Sequence, residues 1–184
     1  MNMDMQNILI VNLSDTGNEA EALRQVLEHM GFFVGMKNIG RPRDFMEILE
    51  GKAPFDPDCI LISCHGDEGK VRMPVLGESV YFRDEPRSDF SSEEIGRFLR
   101  LSGKTIINLG CTTGRSDIAA AFSANNTYIA PVDFIEGNAA LFFTIKLFYE
   151  LVSKQCDIQT AYLSAKETDD ETQSFCLYQN GRNI

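Results

Sequence analysis

Two residue types in this chain could act together as a nucleophile and its base, and each of them lies beside a glycine. His65 precedes Gly66, and Cys111 follows Gly110, 46 positions further along the chain than the histidine. A thiol attacks a carbonyl carbon as the thiolate, and a neighbouring imidazole supplies the base that forms it. The backbone N–H groups of Gly66 and Cys111 would donate to the developing oxyanion. This pair predicts nucleophilic catalysis by a Cys-His dyad, with no metal ion or other cofactor.

Both candidate residues come directly after apolar runs that predict buried strands, at residues 59–64 and 105–109. Four further strands are predicted at residues 8–13, 32–36, 128–132 and 174–178. Helical patterns separate most of these runs, which favours a mainly parallel sheet of about six strands with helices on both faces. Function in such sheets lies at the carboxyl ends of the strands. We therefore expect a single three-layer αβα domain over residues 1–184, with His65 and Cys111 at one edge of the sheet.

The predicted helices carry start signals, and one long segment between them has a different composition. Thr16 with Glu19, and Ser91 with Glu94, have the spacing of a capping box, which satisfies the first free backbone N–H groups of a helix. Charge, glycine and proline dominate residues 67–89. Within this segment, residues 71–76 and 79–83 would pair as a hairpin around the Gly-Glu step at 77–78, and we expect it to be an exposed flap beside the site.

The charge balance and the cysteine pattern exclude some partners and compartments. Asp and Glu number 27 against 17 Lys and Arg, so the formal net charge is −10. An acidic surface repels phosphate backbones and anionic lipids, so neither nucleic acid nor a membrane is an expected partner. No apolar run is long enough to span a bilayer, and the first residues lack the pattern of a signal peptide. Five cysteines without a CxxC pair predict free thiols in a cytoplasmic protein.

The other cysteines and the second histidine are expected to be structural. These residues are Cys59, Cys64, Cys156, Cys176 and His29. Cys64 directly precedes His65, and neighbours on a strand point to opposite faces, so its thiol should point away from the site. We expect no zinc site among these thiols and His65, because they lack the paired spacing of zinc ligands.

The segments around the two candidate residues resemble the signature segments of caspase-like cysteine peptidases of clan CD. ILISCHGDEG is an apolar strand that ends in His-Gly, and IINLGCTTG is one that ends in Cys. Within the clan the sequence is most similar to CHAT domains, which are related to caspases and separases, because their Cys motif reads like A-C-x-T-G. The resemblance covers residues 8–178. It implies a cysteine endopeptidase that uses His65 and Cys111 on protein or peptide substrates, and it allows for a regulatory protein partner.

Two positions depart from the family pattern, since Gly110 stands where Ala or Ser is usual and Thr112 where an acidic residue is common. Neither change removes a reacting group. In related enzymes the specificity pocket is lined partly by the Cys segment and by the segment after the next strand. Here this implies Asp117, Asp133 and Glu136, whose carboxylates would favour Arg or Lys before the scissile bond. The alternative is that these three are helix-capping or surface acids.

Two other interpretations of the whole chain stay open at the level of sequence. One is a catalytically inactive caspase-like module that binds a protein partner. The other is a flavodoxin-like or receiver-like domain, in which residues 12–17 would be the phosphate-binding loop. That loop lacks the full set of glycines and hydroxyls, so the second interpretation ranks last.

Overall fold

Strands and helices alternate along the computed structural model, which describes residues 5–13 and 16–184. The strands are β1 (Asn7–Leu13), β2 (Phe33–Ile39), β3 (Cys59–Ser63), β4 (Gly66–Asp67), β5 (Lys70–Val71), β6 (Thr105–Asn108), β7 (Thr127–Pro131), β8 (Phe175–Gln179) and β9 (Arg182–Asn183). The helices are α1 (Glu19–His29), α2 (Pro42–Leu49), α3 (Ser92–Phe98), α4 (Ser116–Ser123), α5 (Gly137–Ser153) and α6 (Ile158–Lys166).

The central sheet has seven strands in the order β2-β1-β3-β6-β7-β8-β9. The strands from β2 to β7 in this order pair in parallel, whereas β8 and β9 run antiparallel to their neighbours. The prediction of a mainly parallel sheet is therefore confirmed. The two-residue strand β9 was not predicted, because a strand this short leaves no alternating pattern in the sequence.

Helices cover both faces of the sheet, which makes the three-layer αβα sandwich that the sequence predicts. On β3, Ile60 and Ile62 point into one apolar core, which is covered by α2, α3 and α4. Cys59 and Leu61 point into the other core, which is covered by α1, α5 and α6. Every residue of β3 is buried, as expected for a central strand of a parallel sheet.

One of the two predicted capping boxes forms and the other does not. At the start of α3, the Ser91 N–H donates to Glu94 Oε2 at 2.8 Å and the Ser91 hydroxyl accepts from the backbone of the helix, so this box is confirmed. Helix α1 instead begins at Glu19 after an Asn18 cap that makes no side-chain hydrogen bond. The prediction of a Thr16–Glu19 box is wrong because both side chains contact a serine of β3.

The predicted hairpin around the Gly-Glu step at 77–78 is also wrong. The chain turns earlier, between β4 and β5, where Glu68 and Gly69 both have positive φ, as a two-residue type I′ turn requires. Gly77 has a φ of −62°, and a short 3-10 turn, Glu78–Val80, follows it. We call residues 72–89 the long segment. Its tip at residues 77–80 is exposed, as the sequence predicts, although Glu85 fixes the segment to the start of α2.

None of the helices in the described part of the chain is long and apolar enough to cross a membrane.

Candidate active site

The pairing of β3 with β6 determines where the candidate dyad lies. Cys59 lies opposite Thr105, 46 positions later in the chain, and Ile62 lies opposite Asn108 with the same offset. His65 and Cys111 are separated by 46 positions as well. The Leu109 N–H donates to the Ile62 carbonyl at 2.9 Å, so the ladder continues past the end of β6. The two residues therefore follow neighbouring strands in matching register, at the carboxyl edge of the sheet.

The backbones of the His-Gly and Cys segments touch. A Cβ atom on Gly66 would lie 2.2 Å from the Cys111 carbonyl oxygen and 2.8 Å from a methyl group of Thr113. No side chain fits at this distance, so glycine is the residue that lets the two segments meet. The structure therefore brings Gly66, the residue after His65, against Cys111 itself.

Residues 109–114, which we call the Cys loop, are bound to the segment that follows β7. The Thr112 N–H donates to the Asp133 carbonyl at 3.1 Å, and the Gly114 N–H donates to the Pro131 carbonyl at 2.7 Å. A Cβ atom on Gly114 would lie 2.4 Å from the carbonyl oxygen of Ala130. The Cys loop is thus packed backbone to backbone on this side as well.

Two tyrosine hydroxyls hold the Cys loop from the interior. Tyr128 Oη donates to the Thr113 carbonyl at 3.0 Å, and Tyr178 Oη donates to the Gly114 carbonyl at 3.0 Å. Burial raises the pKa of both tyrosines, so both hydroxyls keep the proton that they donate. The ring of Tyr128 stacks on Phe122 of α4 with centroids 4.7 Å apart. The loop that carries the candidate nucleophile therefore has a fixed backbone.

The structure shows what surrounds the two positions, Gly110 and Thr112, that depart from the pattern of CHAT-like sequences. A Cβ atom on Gly110 would lie 2.8 Å from Cys64 Sγ, so the neighbouring thiol occupies the space that an alanine or serine would need. Thr112 has a left-handed backbone with a φ of 62°, which is strained for a β-branched residue. Its Oγ1 accepts from the Gly69 N–H at 3.0 Å, which ties the Cys loop to the β4–β5 turn.

Of the two cysteines near the site, Cys64 and Cys111, only Cys111 is partly exposed. Its Sγ lies 3.5 Å from the Ile135 carbonyl oxygen, to which the thiol donates. Cys64 is buried in the opposite core, as predicted, and donates to Asn108 Oδ1 at 3.2 Å. Burial, with the nearby Glu19 carboxylate adding to it, raises the pKa of Cys64 well above the usual range. Cys64 therefore stays protonated and is a poor nucleophile.

The prediction that the other cysteines are buried in the core is correct in part. Cys59 is fully buried, whereas Cys156 and Cys176 are half-buried and pack against the two cores. His29 is exposed at the end of α1. All five thiols are free, and in residues 5–13 and 16–184 no group of three His, Cys, Asp or Glu side chains could hold a metal ion.

His65 lies just past the end of β3 and is exposed to solvent. Glu19, the first residue of α1, lies close enough to it for the positive form of the imidazole to lower the pKa of the Glu19 carboxyl. Burial outweighs this effect, so the pKa of Glu19 is raised overall. Sequence reasoning assigned Glu19 only to a helix cap. The available signal was Ser63, a polar residue in an otherwise apolar strand, which donates to Glu19 Oε1.

The β4–β5 hairpin orients the N–H of Gly66, one of the two backbone groups proposed for an oxyanion hole. The Arg72 N–H donates to the His65 carbonyl at 3.0 Å, so His65 and Arg72 form a hydrogen-bonded pair. Because such pairs alternate in an antiparallel ladder, Gly66, opposite Val71, is at a non-hydrogen-bonded position, and its N–H points away from β5. The Cys111 N–H has no acceptor among the residues that the structure describes.

The three acids expected in the specificity pocket are all exposed and do not form one cluster. Asp117 lies in the first turn of α4, over one face of the sheet. Asp133 and Glu136 lie between β7 and α5, in the segment that contacts the Cys loop. Glu136 alone of the three lines a surface pocket of about 630 Å³. The other residues of this pocket are Asn138, Ala139, Phe142, Asp169, Asp170 and Glu171.

This arrangement of sheet, helices and loops is the caspase-like α/β fold. The structure of drICE superposes on 96% of this chain and 88% of its own with a TM-score of 0.55, at 18% identity. Caspase-1 from Spodoptera frugiperda gives a TM-score of 0.55 over 97% of this chain and 88% of its own, at 14% identity. The flavodoxin-like or receiver-like alternative is therefore set aside. Its phosphate-binding loop would include Ser14 and Asp15, which lie outside the described residues.

A bacterial peptidase shares the same fold. The secreted C11 cysteine protease from Bacteroides thetaiotaomicron, solved with an irreversible peptide inhibitor, gives a TM-score of 0.52 at 9% identity. The match covers 95% of this chain and 66% of that protein. No protein-family model matches the sequence, and no curated protein matches it either.

Proposed function

We propose that the protein is a cysteine endopeptidase that hydrolyses peptide bonds with Cys111 as nucleophile and His65 as general base and acid. One observation carries this proposal: the parallel register of β3 and β6 places the two residues at the same edge, and the backbones of Gly66 and Cys111 touch there. Cys111 is half-buried and His65 is exposed, so neither residue is enclosed in the core. The caspase-like fold supports the same assignment.

In the proposed mechanism, His65 accepts the thiol proton of Cys111, and the thiolate attacks the carbonyl carbon of the scissile bond. The oxyanion that forms accepts hydrogen bonds from the N–H groups of Gly66 and Cys111. His65 then gives its proton to the leaving amine as the C–N bond breaks, which leaves a thioester on Cys111. Water, activated by His65, hydrolyses the thioester and restores the thiol.

We further propose that the substrate is a protein or peptide with Arg or Lys before the scissile bond. The pocket that Glu136 lines supports this proposal, because Glu136 follows Ile135, whose carbonyl contacts the Cys111 thiol. Glu136, Asp169, Asp170 and Glu171 line that pocket, and no basic residue among those described does. Carboxylates attract a guanidinium or ammonium group, and the net charge of −10 adds to this attraction.

The motif of residues 110–114 also supports a place among CHAT domains within the caspase-like fold, and a regulatory protein partner accords with that place. The net charge argues against nucleic acid as a partner. Five free thiols support a reducing compartment, which we propose to be the cytoplasm.

The proposal is tested by cleavage of a peptide library, with Cys111→Ala and His65→Ala as variants. We expect Cys111→Ala to abolish cleavage and His65→Ala to reduce it at least about a hundredfold, the usual contribution of a positioned acid or base. Both variants should keep the melting temperature, since both side chains lie past the strand ends. The library should show a preference for Arg or Lys. Cys64→Ala is the control for thiol loss and should retain cleavage.

Cleavage that persists in Cys111→Ala would refute the assignment of the nucleophile. A wild-type protein that cleaves nothing in the library would favour the inactive, partner-binding alternative. A preference for Asp before the scissile bond would refute only the proposed role of the acidic pocket.

A further inference from the structure

Glu19 is a half-buried carboxylate that the proposed mechanism does not use. It begins α1, and its Oε1 accepts a hydrogen bond from the Ser63 hydroxyl at 2.6 Å. Ser63 is fully buried and lies two residues before His65. This contact joins the start of α1 to the end of the strand that carries the candidate base.

The hydrogen-bond pattern around Ser63 fixes the direction of this contact. Thr16 Oγ1 lies 3.0 Å from Ser63 Oγ and 3.3 Å from Asn12 Oδ1, to which it can donate. A hydroxyl carries one hydrogen, so Ser63, which gives its hydrogen to Glu19, can only accept from Thr16, and Thr16 can donate to Ser63 or to Asn12 but not to both. Glu19 is therefore the final acceptor of this network, which suits an ionised carboxylate.

The other oxygen of Glu19 faces the segment that contacts the Cys111 thiol. Glu19 Oε2 lies 3.9 Å from the place of a Cβ atom on Gly137, the first residue of α5. Gly137 follows Ile135 by two residues, and the Ile135 carbonyl accepts from the Cys111 thiol. The carboxylate thus lies between the end of β3 and the segment beside the nucleophile.

The ionised form of Glu19 lowers the stability of the folded state. Burial raises the pKa of this carboxyl, while the hydrogen bond from Ser63 and the positive form of His65 lower it by less. Two titratable groups that interact with Glu19 are His65 and Cys64. Cys64 stays protonated, so His65 is the group that can gain from the negative charge.

We propose that Glu19 is a positioning residue of the dyad, whose carboxylate, held by Ser63, stabilises the imidazolium form of His65 that accompanies the Cys111 thiolate. This inference rests on the proposed function, because it assigns a role within the same dyad. Glu19 does not touch the reacting atoms, and it acts through His65. The Ser63 hydroxyl contacts Glu19, and the carboxylate acts on the imidazole through its charge.

The test is the rate at which iodoacetamide alkylates Cys111, followed by mass spectrometry of the Cys111 peptide from pH 5 to pH 9. This rate reports the thiolate and needs no peptidase activity. We expect Glu19→Gln to lower the rate at neutral pH about tenfold, since one nearby opposite charge shifts such an equilibrium by about one pH unit or more. Glu19→Asp, which keeps the charge, should recover part of the rate, and Ser63→Ala should give an intermediate loss.

A matched control and a stability measurement separate positioning from a structural role. Glu28→Gln removes an exposed carboxylate from the same helix and should leave the rate unchanged. Glu19→Gln should melt at the same temperature as the wild type or higher at pH 7, because it removes the cost of a buried charge. A structural role for Glu19 predicts the opposite, a lower melting temperature with an unchanged pH profile.

The outcomes also separate this inference from the proposed function. A rate that falls in His65→Ala but not in Glu19→Gln overturns the role of Glu19 and leaves the dyad intact. A rate that falls in both, in a protein that cleaves no peptide, supports the role of Glu19 while the endopeptidase proposal fails. A rate that His65→Ala does not change overturns both.

Discussion

Two segments at the carboxyl edge of the sheet are held in place in opposite ways. The Cys loop is fixed by many backbone contacts, with Gly66 packed on one side and the segment after β7 on the other. The long segment is exposed at its tip and has little regular structure. Apart from its first residues, where the Arg72 N–H donates to the His65 carbonyl and Met73 is buried in the core, it is attached to the start of α2. That attachment consists of the fully buried side chain of Glu85 and its partner Arg41, which also donates to the Val80 carbonyl.

Glu85 binds both the start of α2 and its own segment. Its Oε1 accepts from Arg41 Nε at 3.0 Å and from the Arg43 N–H at 2.9 Å, and its Oε2 accepts from the Phe82 N–H at 3.0 Å. The guanidinium of Arg41 also lies 3.7 Å above the centre of the Phe82 ring. One buried carboxylate therefore attaches the middle of the long segment to α2, whereas the Cys loop is held by contacts along its backbone.

This difference predicts which substitutions destabilise each segment. The Cys loop has no room for an added atom at Gly110 or Gly114, so substitutions at these uncharged positions should destabilise it by steric clash. The long segment has room at its exposed tip, where a Cβ atom on Gly77 would meet only Val80, so the tip should tolerate an added atom and the segment should depend more on the ion pair of Glu85 with Arg41. The following predictions, in order of expected effect, test this contrast.

Gly114→Ala should have the largest effect. The new Cβ would lie 2.4 Å from the Ala130 carbonyl oxygen and 2.8 Å from the Pro131 carbonyl carbon, and backbone cannot move aside cheaply. We expect a loss of about 3 kcal/mol or more in the free energy of unfolding, measured by urea denaturation.

Gly77→Ala is the matched control in the long segment. A Cβ there meets only Val80 Cγ2, at 3.7 Å, and the φ of Gly77 suits any residue. The change should be neutral or should stabilise the protein by up to about 1 kcal/mol, because alanine restricts the unfolded chain. Equal losses in the two variants would refute the contrast between the segments.

Glu85→Ala should have the next largest effect. It leaves the partly buried Arg41 guanidinium and two backbone N–H groups without their acceptor, which should cost about 2 kcal/mol in urea denaturation. Glu78→Ala is the control, because the Glu78–Arg87 pair lies at the surface and should contribute less than about 0.5 kcal/mol. A loss in Glu85→Ala as small as in the control would show that the long segment has other attachments.

The smallest predicted effect is a pH dependence at Glu85. The hydrogen bond from Arg41, helped by the backbone N–H groups of Arg43 and Phe82, lowers the pKa of Glu85 from 4.5 to about 2. The unfolded chain binds the proton more readily, so this carboxylate contributes stability above about pH 4.5 that is lost as the pH falls towards 2.

The difference in melting temperature between the wild type and Glu85→Gln should therefore narrow from pH 5 to pH 2. Glu78→Gln should follow the wild type throughout this range. A difference between wild type and Glu85→Gln that stays constant with pH would show that the ionisation of Glu85 does not stabilise the fold.

The sequence predicts the sheet well because its central strands are buried on both faces and read as apolar runs. The same runs place His65 and Cys111 at strand ends, so the candidate dyad can be predicted from the sequence alone. The position of Glu19 cannot, because a T-x-x-E pattern is compatible with a cap and with a contact to another strand. Only the packing of α1 against β3 decides between them, and that packing depends on residues far apart in the sequence.

The long segment was harder to predict for a related reason. The Gly-Glu step at 77–78 and the Glu-Gly step at 68–69 both suit a turn by composition, and local sequence does not rank them. The hydrogen bond from Gly69 to Thr112, and the pairing of Val71 with Phe90, favour the earlier turn. Both contacts join residues that lie well apart along the chain.

The 46-residue offset between β3 and β6 has a consequence for how the protein folds. The two strands can pair only after the chain between them has closed into a loop, and such distant pairings form more slowly than local helices. The candidate dyad does not exist until that closure is complete. If the protein is a peptidase, a chain that is still being synthesised therefore cannot cleave other proteins. Peptidase activity begins only when the sheet is complete.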